Sequence, residues 1–281
     1  MRLGLTRWSV LAVALTAAVA AHAADLVVAA GANADTGSRS VRVPAGIAVG
    51  VIDTGSGDVI VEAGAITRDI DTGSGSVELG ANASSERIDT GSGGVRLGTG
   101  AQAGVIDTGS GSVRLGSGSR SKAIDTGSGS INGADRVLID GDIDTGSGSI
   151  ELGSGSIVRG KVDTGSGSVN FTGVVVEGRI DTGSGNITLV DCQLRGDLMT
   201  TRGEVKLEGS TSVGGDLIIR KSRCLGICWG ENRPTRVVIG AGATLAGDIV
   251  SERETELWVH ESARIGKVSG TQVKRFSGER P

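Results

Sequence analysis

The chain has no tyrosine, two phenylalanines and three tryptophans in 281 residues, so large rings cannot fill a thick core. Proline is nearly as scarce, at three residues, and glycine does not fall at every third position, which together exclude a collagen-type helix. Two histidines and three cysteines leave little material for a nucleophile–histidine triad or a four-ligand zinc site. No apolar run reaches the roughly 20 residues of a spanning helix. Simple disorder is excluded as well, because 38% hydrophobic content with a net charge of −4 is too apolar for it. What abounds is glycine, 49 residues, or about 17% against an average of about 7%. The composition calls for a thin core and many turns.

Arg2 and Arg7 precede an apolar run from Ser9 to Ala21, and Ala21-His22-Ala23 supplies a small-x-small cleavage pattern. Residues 1–23 therefore read as a secretory signal peptide. No cysteine lies near the cleavage point, so a lipid anchor is not indicated. Loss of the leader takes Arg2 and Arg7 with it, so the expected mature chain keeps 26 basic and 32 acidic side chains, a net charge of −6. That balance argues against nucleic acid or anionic lipid as partner. His260 becomes the one remaining histidine.

The pentapeptide DTGSG begins at Asp53, Asp71, Asp89, Asp107, Asp125, Asp144, Asp163 and Asp181, successive copies starting eighteen or nineteen positions apart. Degenerate copies start at Asp35 and Met199. An apolar residue precedes each aspartate, as at Ile52, Ile70, Ile88 and Val162. Seven and nine positions after that one come apolar pairs such as Val77/Leu79, Val95/Leu97 and Ile150/Leu152, with Glu78, Arg96 and Glu151 between them. Period-two alternation marks strands. A third, weaker strand position appears at Val174/Val176 and Cys192/Leu194.

A repeat of this length with three short strands makes one coil of a triangular solenoid, and coils stack because none buries its apolar side alone. The expected fold is an all-β, single-stranded parallel β-helix, right-handed, whose identical turns stack directly. An antiparallel sandwich also has short strands and turns, but does not require the same pentapeptide in each.

Beyond the pentapeptides, Gly-x-apolar elements recur at Gly196, Gly215, Gly247 and Gly266, and the middle step is much longer than the two beside it. The long step implies an insertion between Leu217 and Val237. Counting from Ala34 to Val268 gives 13 coil starts, a rod of roughly 60 Å at about 4.8 Å per coil. The expected organisation is a leader (1–23), repetitive helix (24–220), inserted Cys/Trp loop (221–235), and degenerate coils with a C-terminal cap (236–281).

The DTGSG-x-[VI]-x-L units behind a leader, from Ala34 to Leu207, resemble the adhesin-type family of exported bacterial β-strand-repeat proteins. Residues from Arg236 to Val268, including Val238-Ile239-Gly240-Ala241-Gly242-Ala243, are more distantly similar to bactofilins, which form small triangular β-helices. The resemblance implies a β-helix at the cell envelope, with no catalytic residues to carry over.

In-register stacking would place the eight repeat carboxylates about 5 Å apart, repelling by roughly 1 kcal/mol per neighbouring pair in water. The favoured account is an Asx-turn in each pentapeptide, with a cation ladder second. The nine-residue calcium-roll signature is absent, and no metal or cofactor is expected. Thr54 and Ser56 are expected to share the inward face with Ile52, against an ice-binding hydroxyl array. Cys192 falls in an inward slot, while Cys224 and Cys228 in the insertion are the expected disulfide pair. Arg223, Trp229, Arg233 and Arg236 form a candidate binding patch there, since loops on a rigid solenoid commonly carry binding.

The expected role is therefore a non-enzymatic, exported envelope or surface protein, structural or adhesive, located in the periplasm, at the cell surface or outside the cell. Its partner would be an envelope protein or polysaccharide, without nucleic acid or a transmembrane anchor, and its ends offer a route to end-to-end self-association. The alternatives are a β-helix enzyme acting on polysaccharide and a periplasmic partner in envelope stress signalling.

Overall fold

A computed structural model describes residues 25–221 and 234–281, and all regular structure among them is β. The strands pair in parallel and in register with their equivalents one coil away: Ile52 lies against Ile70, Ile70 against Ile88, and Asp53 against Asp71. Thirteen aspartate-face strands, from Ala34–Thr36 to Val268–Ser269, each contain one of the coil starts read from the sequence. The Val-x-Leu strands form a second face, one 14-stranded parallel sheet from Leu26–Val27 to Val273–Phe276. Across the insertion the stack continues without a slip, with Val205 in register with Val237.

Period-two alternation decides what enters the core. Ile52, Val59 and Val61 are fully buried, and the same slots in later coils hold Ile, Val or Leu except at Gly133, Phe171 and the terminal Arg275. Two inward slots on the third face complete each coil. After Val49, small or hydroxylated residues fill the second slot in the early coils, namely Thr67, Ser85, Ala103 and Ser121, whereas Ile139, Val158, Val176 and Leu194 fill it later.

Chain length at one corner tracks this change in volume. In the early coils the third face and the aspartate face share one seven-residue strand, as in Ile66–Thr72 and Arg120–Thr126. From Gly141 onward an additional residue separates the two faces, which become distinct strands such as Ile157–Val158 and Val162–Thr164. The longer corner accompanies the larger aliphatic side chains from Ile139 onward, although Val49 also fits the slot of a short-corner coil, and close packing leaves no void where the slot is small. In narrow coils the inward hydroxyls also serve the bend: Ser85 Oγ donates to the Arg68 carbonyl at 2.9 Å and Ser121 Oγ to that of Gly104 at 2.9 Å.

Between the Val-x-Leu face and the third face each coil turns through a left-handed residue. Glycine holds this position at 46, 64, 100, 118, 155, 173, 209 and 242, while Asn82, Arg136 and Asp191 hold it at φ of 55°, 58° and 54°. Arginine has no means of relieving that conformation, so Arg136→Gly is expected to stabilise the fold by about 1 kcal/mol. A shift of the urea midpoint with unchanged slope would confirm it; an unchanged midpoint would count against it.

At the C-terminal end, Val273–Phe276 adds the last strand. Arg275 stands in register with buried Val259 and donates to the His260 carbonyl at 3.3 Å. A guanidinium above a core column is a charged cap that opposes addition of a further coil.

Candidate functional site

Two surfaces depart from a plain solenoid wall, and the aspartate column is the longer. Its carboxylates point outward, and the pentapeptide turn is closed by threonine, which corrects the Asx-turn expectation. Thr54 Oγ1 donates to the Gly57 carbonyl at 2.7 Å, and Thr126 Oγ1 to that of Gly129 at 2.6 Å. In other coils the hydroxyl accepts instead, as where Gly75 N–H donates to Thr72 Oγ1 at 2.9 Å. Ser56 is exposed rather than inward, because the chain has already turned at Gly55 and it is Gly57 that faces the core. The threonines bond mainly to their own turn, although Thr54 Oγ1 also lies 3.2 Å from Thr72 Oγ1.

Aspartate side chains do accept backbone N–H groups, but from the next coil and not within their own turn: Asp58 Oδ1, just past a pentapeptide, accepts from Ser76 N–H at 2.8 Å, and the Gly-Asp-apolar corners repeat the pattern. Asp142 Oδ1 accepts from Lys161 N–H, Asp197 Oδ1 from Asp216 N–H, and Asp216 Oδ1 from Asp248 N–H, at 2.8–2.9 Å. The signal was present as the Gly-Asp-apolar spelling of the C-terminal coils, where the aspartate is nearly as regular as the glycine.

The repulsion along the repeat column is offset in part by cations. Lys161 Nζ bridges Asp144 at 2.9 Å and Asp163 at 2.8 Å, Arg87 pairs with Asp89, and Arg220 reaches two coils back to Asp181. The bonds to Asp163 and Asp144 raise the Lys161 ammonium pKa. Asp71 and Asp125 are held above the ordinary carboxylate range, first by partial burial and then by the flanking carboxylates of the column. A shallow groove of about 400 Å³ runs along Asp125, Asp144, Asp163 and Asp181. Among the described residues no group of three or more His, Cys, Asp or Glu side chains is arranged to hold a metal ion.

For Asp125 the sign of the pH effect follows directly. Its folded pKa lies above the unfolded one, so the folded state holds more protons in that window and stability falls as pH rises through it. Asp125→Asn is expected to stabilise the rod at pH 7 by about 0.5 kcal/mol, screening included. The gain should disappear once the wild-type carboxyl is protonated. Melting curves at pH 7 and at a pH well below the ordinary carboxylate range check this, and a gain undiminished at the acid pH would contradict it.

The second surface is a cleft of about 430 Å³ where the repeat is interrupted, lined by Arg202, Gly203, Glu204, Pro234, Thr235, Arg236 and Arg253. Three successive coils build it. Arg202, Gly203 and Glu204 lie on the coil beginning at Leu198, Thr235 and Arg236 on the next, and Arg253 on the third. Arg202 stands in the tip position that serine holds in the pentapeptides, and Arg253 Nη1 reaches back to donate to the Thr201 carbonyl at 2.8 Å. Glu204 pairs with Lys206 at 2.9 Å and more loosely with Arg236 at 3.8 Å.

Thr235 departs from the repeat on the wall of this cleft. Its slot is glycine at 57, 75, 93, 111, 129, 148, 167, 185 and 203, because stacked turns leave no room there for a Cβ. Thr255 follows it in register, and its hydroxyl lies 2.7 Å from Ser251 Oγ. Thr235 is 2% exposed, and its Oγ1 has no hydrogen-bond partner among the described residues.

Of the patch read from the sequence, Arg236 lies in this cleft. Arg223, Cys224, Cys228, Trp229 and Arg233 lie outside the described residues. Sequence reading overlooked Arg202 and Arg253, which are distant from Arg236 along the chain and meet it only through stacking. Cys192 is buried beside Val174, as its slot requires, and burial pushes its thiol pKa up. His260 packs edge-on to Phe276 at 5.1 Å and lies 2.8 Å from Ser262 Oγ, serving as a strand residue.

Residues 121–221 match the Toastrack DUF4097 family model. That span, a little over a third of the chain, covers the Toastrack-like coils up to the edge of the insertion, Asp125 to Asp181 of the column, and Arg202 and Glu204 of the cleft. No curated protein and no solved structure gives a significant match. Toastrack similarity and stacked parallel strands together make this a β-solenoid repeat protein of the structural or binding kind. Among the described residues no helix is long and apolar enough to cross a membrane.

Proposed function

We propose that the protein is an exported, non-enzymatic rod of the cell envelope or cell surface that binds a macromolecule, an envelope protein or a polysaccharide, in a structural or adhesive role. The observation that carries this reading is the contrast between near-identical coils and one interruption. Repeated turns give a stiff support of uniform chemistry. The cleft at Thr235 is where three arginines replace that uniformity. The leader-like segment, with the first described strand at Leu26 just past the expected cleavage point, favours export. Bactofilin-like and adhesin-like sequence adds the envelope setting.

Crosslinking of a tagged chain in cells, followed by fractionation, tests the reading. The tag is expected in the periplasm, envelope or medium, joined to a discrete partner, and Trp229→Ala should weaken that capture without unfolding the rod. Retention of the leader in the cytoplasm, or release of reducing sugar from common glycans by the purified chain, would overturn it.

A further inference from the structure

We propose that the third face of the early coils holds a binding site for an extended β-1,4-linked polysaccharide lying along the rod axis, one sugar to each coil. The inference rests on the reading of the rod as a macromolecule-binding protein and chooses polysaccharide from the partners that reading allows. Its site is a groove of about 520 Å³, lined by residues between Ile66 and Asp140 and so well separated along the chain from the insertion.

Two outward columns frame the groove. Ile66, Ser84, Gln102, Arg120 and Leu138 stand in register over five coils, a run of roughly 19 Å at about 4.8 Å per coil. Beside them, two residues further along the chain, run Glu86, Gly104 and Lys122. A Cβ at Gly104 would collide with the Glu86 carbonyl oxygen, so the bend of this coil demands glycine and leaves a notch between two charged side chains. Glu86, Gln102 and Lys122 are exposed, and their side chains have no hydrogen bond or ion pair among the described residues. At the far end Asp140 is held by Arg120 at 2.6 Å and by Arg159 at 2.5 Å, so that wall is fixed before a ligand arrives.

The lining suits a polyhydroxy chain better than a polypeptide. A sugar hydroxyl donates once and accepts twice, which matches an acceptor at Glu86, donors at Lys122 and both kinds at Gln102. Spacing then decides the class. Each ring of an extended β-1,4 chain advances it by close to one coil spacing, so successive sugars meet successive coils in step. An extended polypeptide advances about 3.3 Å per residue and falls out of step. Strand addition is closed to it as well, because Ser84, Gln102 and Arg120 N–H already donate to the Ala65, Ala83 and Ala101 carbonyls at 2.9 Å. Ile66 is the one large apolar side chain of the lining, so the groove offers no apolar pocket to anchor a protein partner.

The test is calorimetry of the full chain with cellohexaose, chitohexaose and β-1,4-linked hexamannuronate, which separate hydroxyl, acetamido and carboxylate substituents on one backbone geometry. Saturable binding of at least one is expected. Shorter oligomers of that sugar should bind progressively more weakly, and the gain with length should level off once the five coils of the groove are filled. Glu86→Ala should weaken binding about tenfold, the usual effect of removing a hydrogen bond to a charged group, and Gln102→Ala severalfold. Both side chains are exposed and unpartnered among the described residues, so the unfolding temperature should stay where it is. Glu151→Ala, exposed on the Val-x-Leu face, is the control and should leave affinity unchanged.

No saturable binding of any of the three, equal binding of maltohexaose, whose α-1,4 chain curls away from the axis, or affinity unchanged in both groove variants would overturn the proposal. Crosslinking to an envelope protein together with silent titrations would overturn it and leave the broader reading standing. Oligosaccharide binding by a chain that keeps its leader in the cytoplasm would do the reverse.

Discussion

Gly111→Ala is expected to destabilise the rod by about 3 kcal/mol or more, an effect of backbone collision rather than conformation. Gly111 is the second glycine of its pentapeptide, and its φ is not in the left-handed region. A Cβ at this position would lie inside the van der Waals shell of the Gly93 carbonyl oxygen in the coil below. Backbone packed into a continuous stack cannot swing away as a side chain would, so the ladder from Gly93 to Gly129 would have to part. Gly118→Ala provides the control. There φ is +68° and nothing lies within 4 Å of the added carbon, so only the conformational term of about 1 kcal/mol applies. Urea unfolding of both variants separates the two causes. Equal losses would show that stacking distance is not what holds glycine in the column.

Phe171→Ala is expected to cost about 3–5 kcal/mol, and Phe171→Leu less than about 1.5 kcal/mol. Phe171 is the largest fully buried side chain, in register with Leu152 on one side and Leu189 on the other. Room for its ring comes from further down the column. Gly133 occupies the leucine slot two coils below, and a Cβ there would lie 2.5 Å from Leu152 Cδ2. Leu152 fills the space that Gly133 leaves. Gly133→Leu, although it restores the repeat pattern, would therefore collide with Leu152 and destabilise the rod. A leucine variant at Phe171 as damaging as alanine would refute the volume argument, since it would assign the loss to the ring itself.

The solenoid, its 13 coils and the location of the insertion were legible in the sequence because the repeat is long and regular, and in a stacked structure the sequence period equals the geometric one. Inward burial of Ile52 and Thr54 followed from strand parity alone. Parity failed at Ser56 because the strand had ended, and side-chain alternation holds only while the backbone stays extended.

Carboxylate roles were divided differently from the sequence reading. Aspartate is a common turn former, and DTGSG offered it a turn. The threonine beside it sits on the inner side of that turn, within reach of the Gly57 carbonyl, and satisfies the bend first. The aspartates of the Gly-Asp-apolar corners instead reach across a coil spacing to backbone N–H groups such as that of Asp216.

By itself, then, the sequence determined everything that repeats: the period, the strand faces, the inward apolar ladder and the demand for glycine where turns pile up. Only the tertiary structure decided what depends on residues that are neighbours in space but not along the chain. It brought Arg202, Arg236 and Arg253 to one cleft, left Thr235 without an acceptor among the described residues, and set Phe171 over the space near Gly133. The reason is that stacking converts sequence separations of one or two periods into contact, while a broken period has no template from which its contacts can be counted.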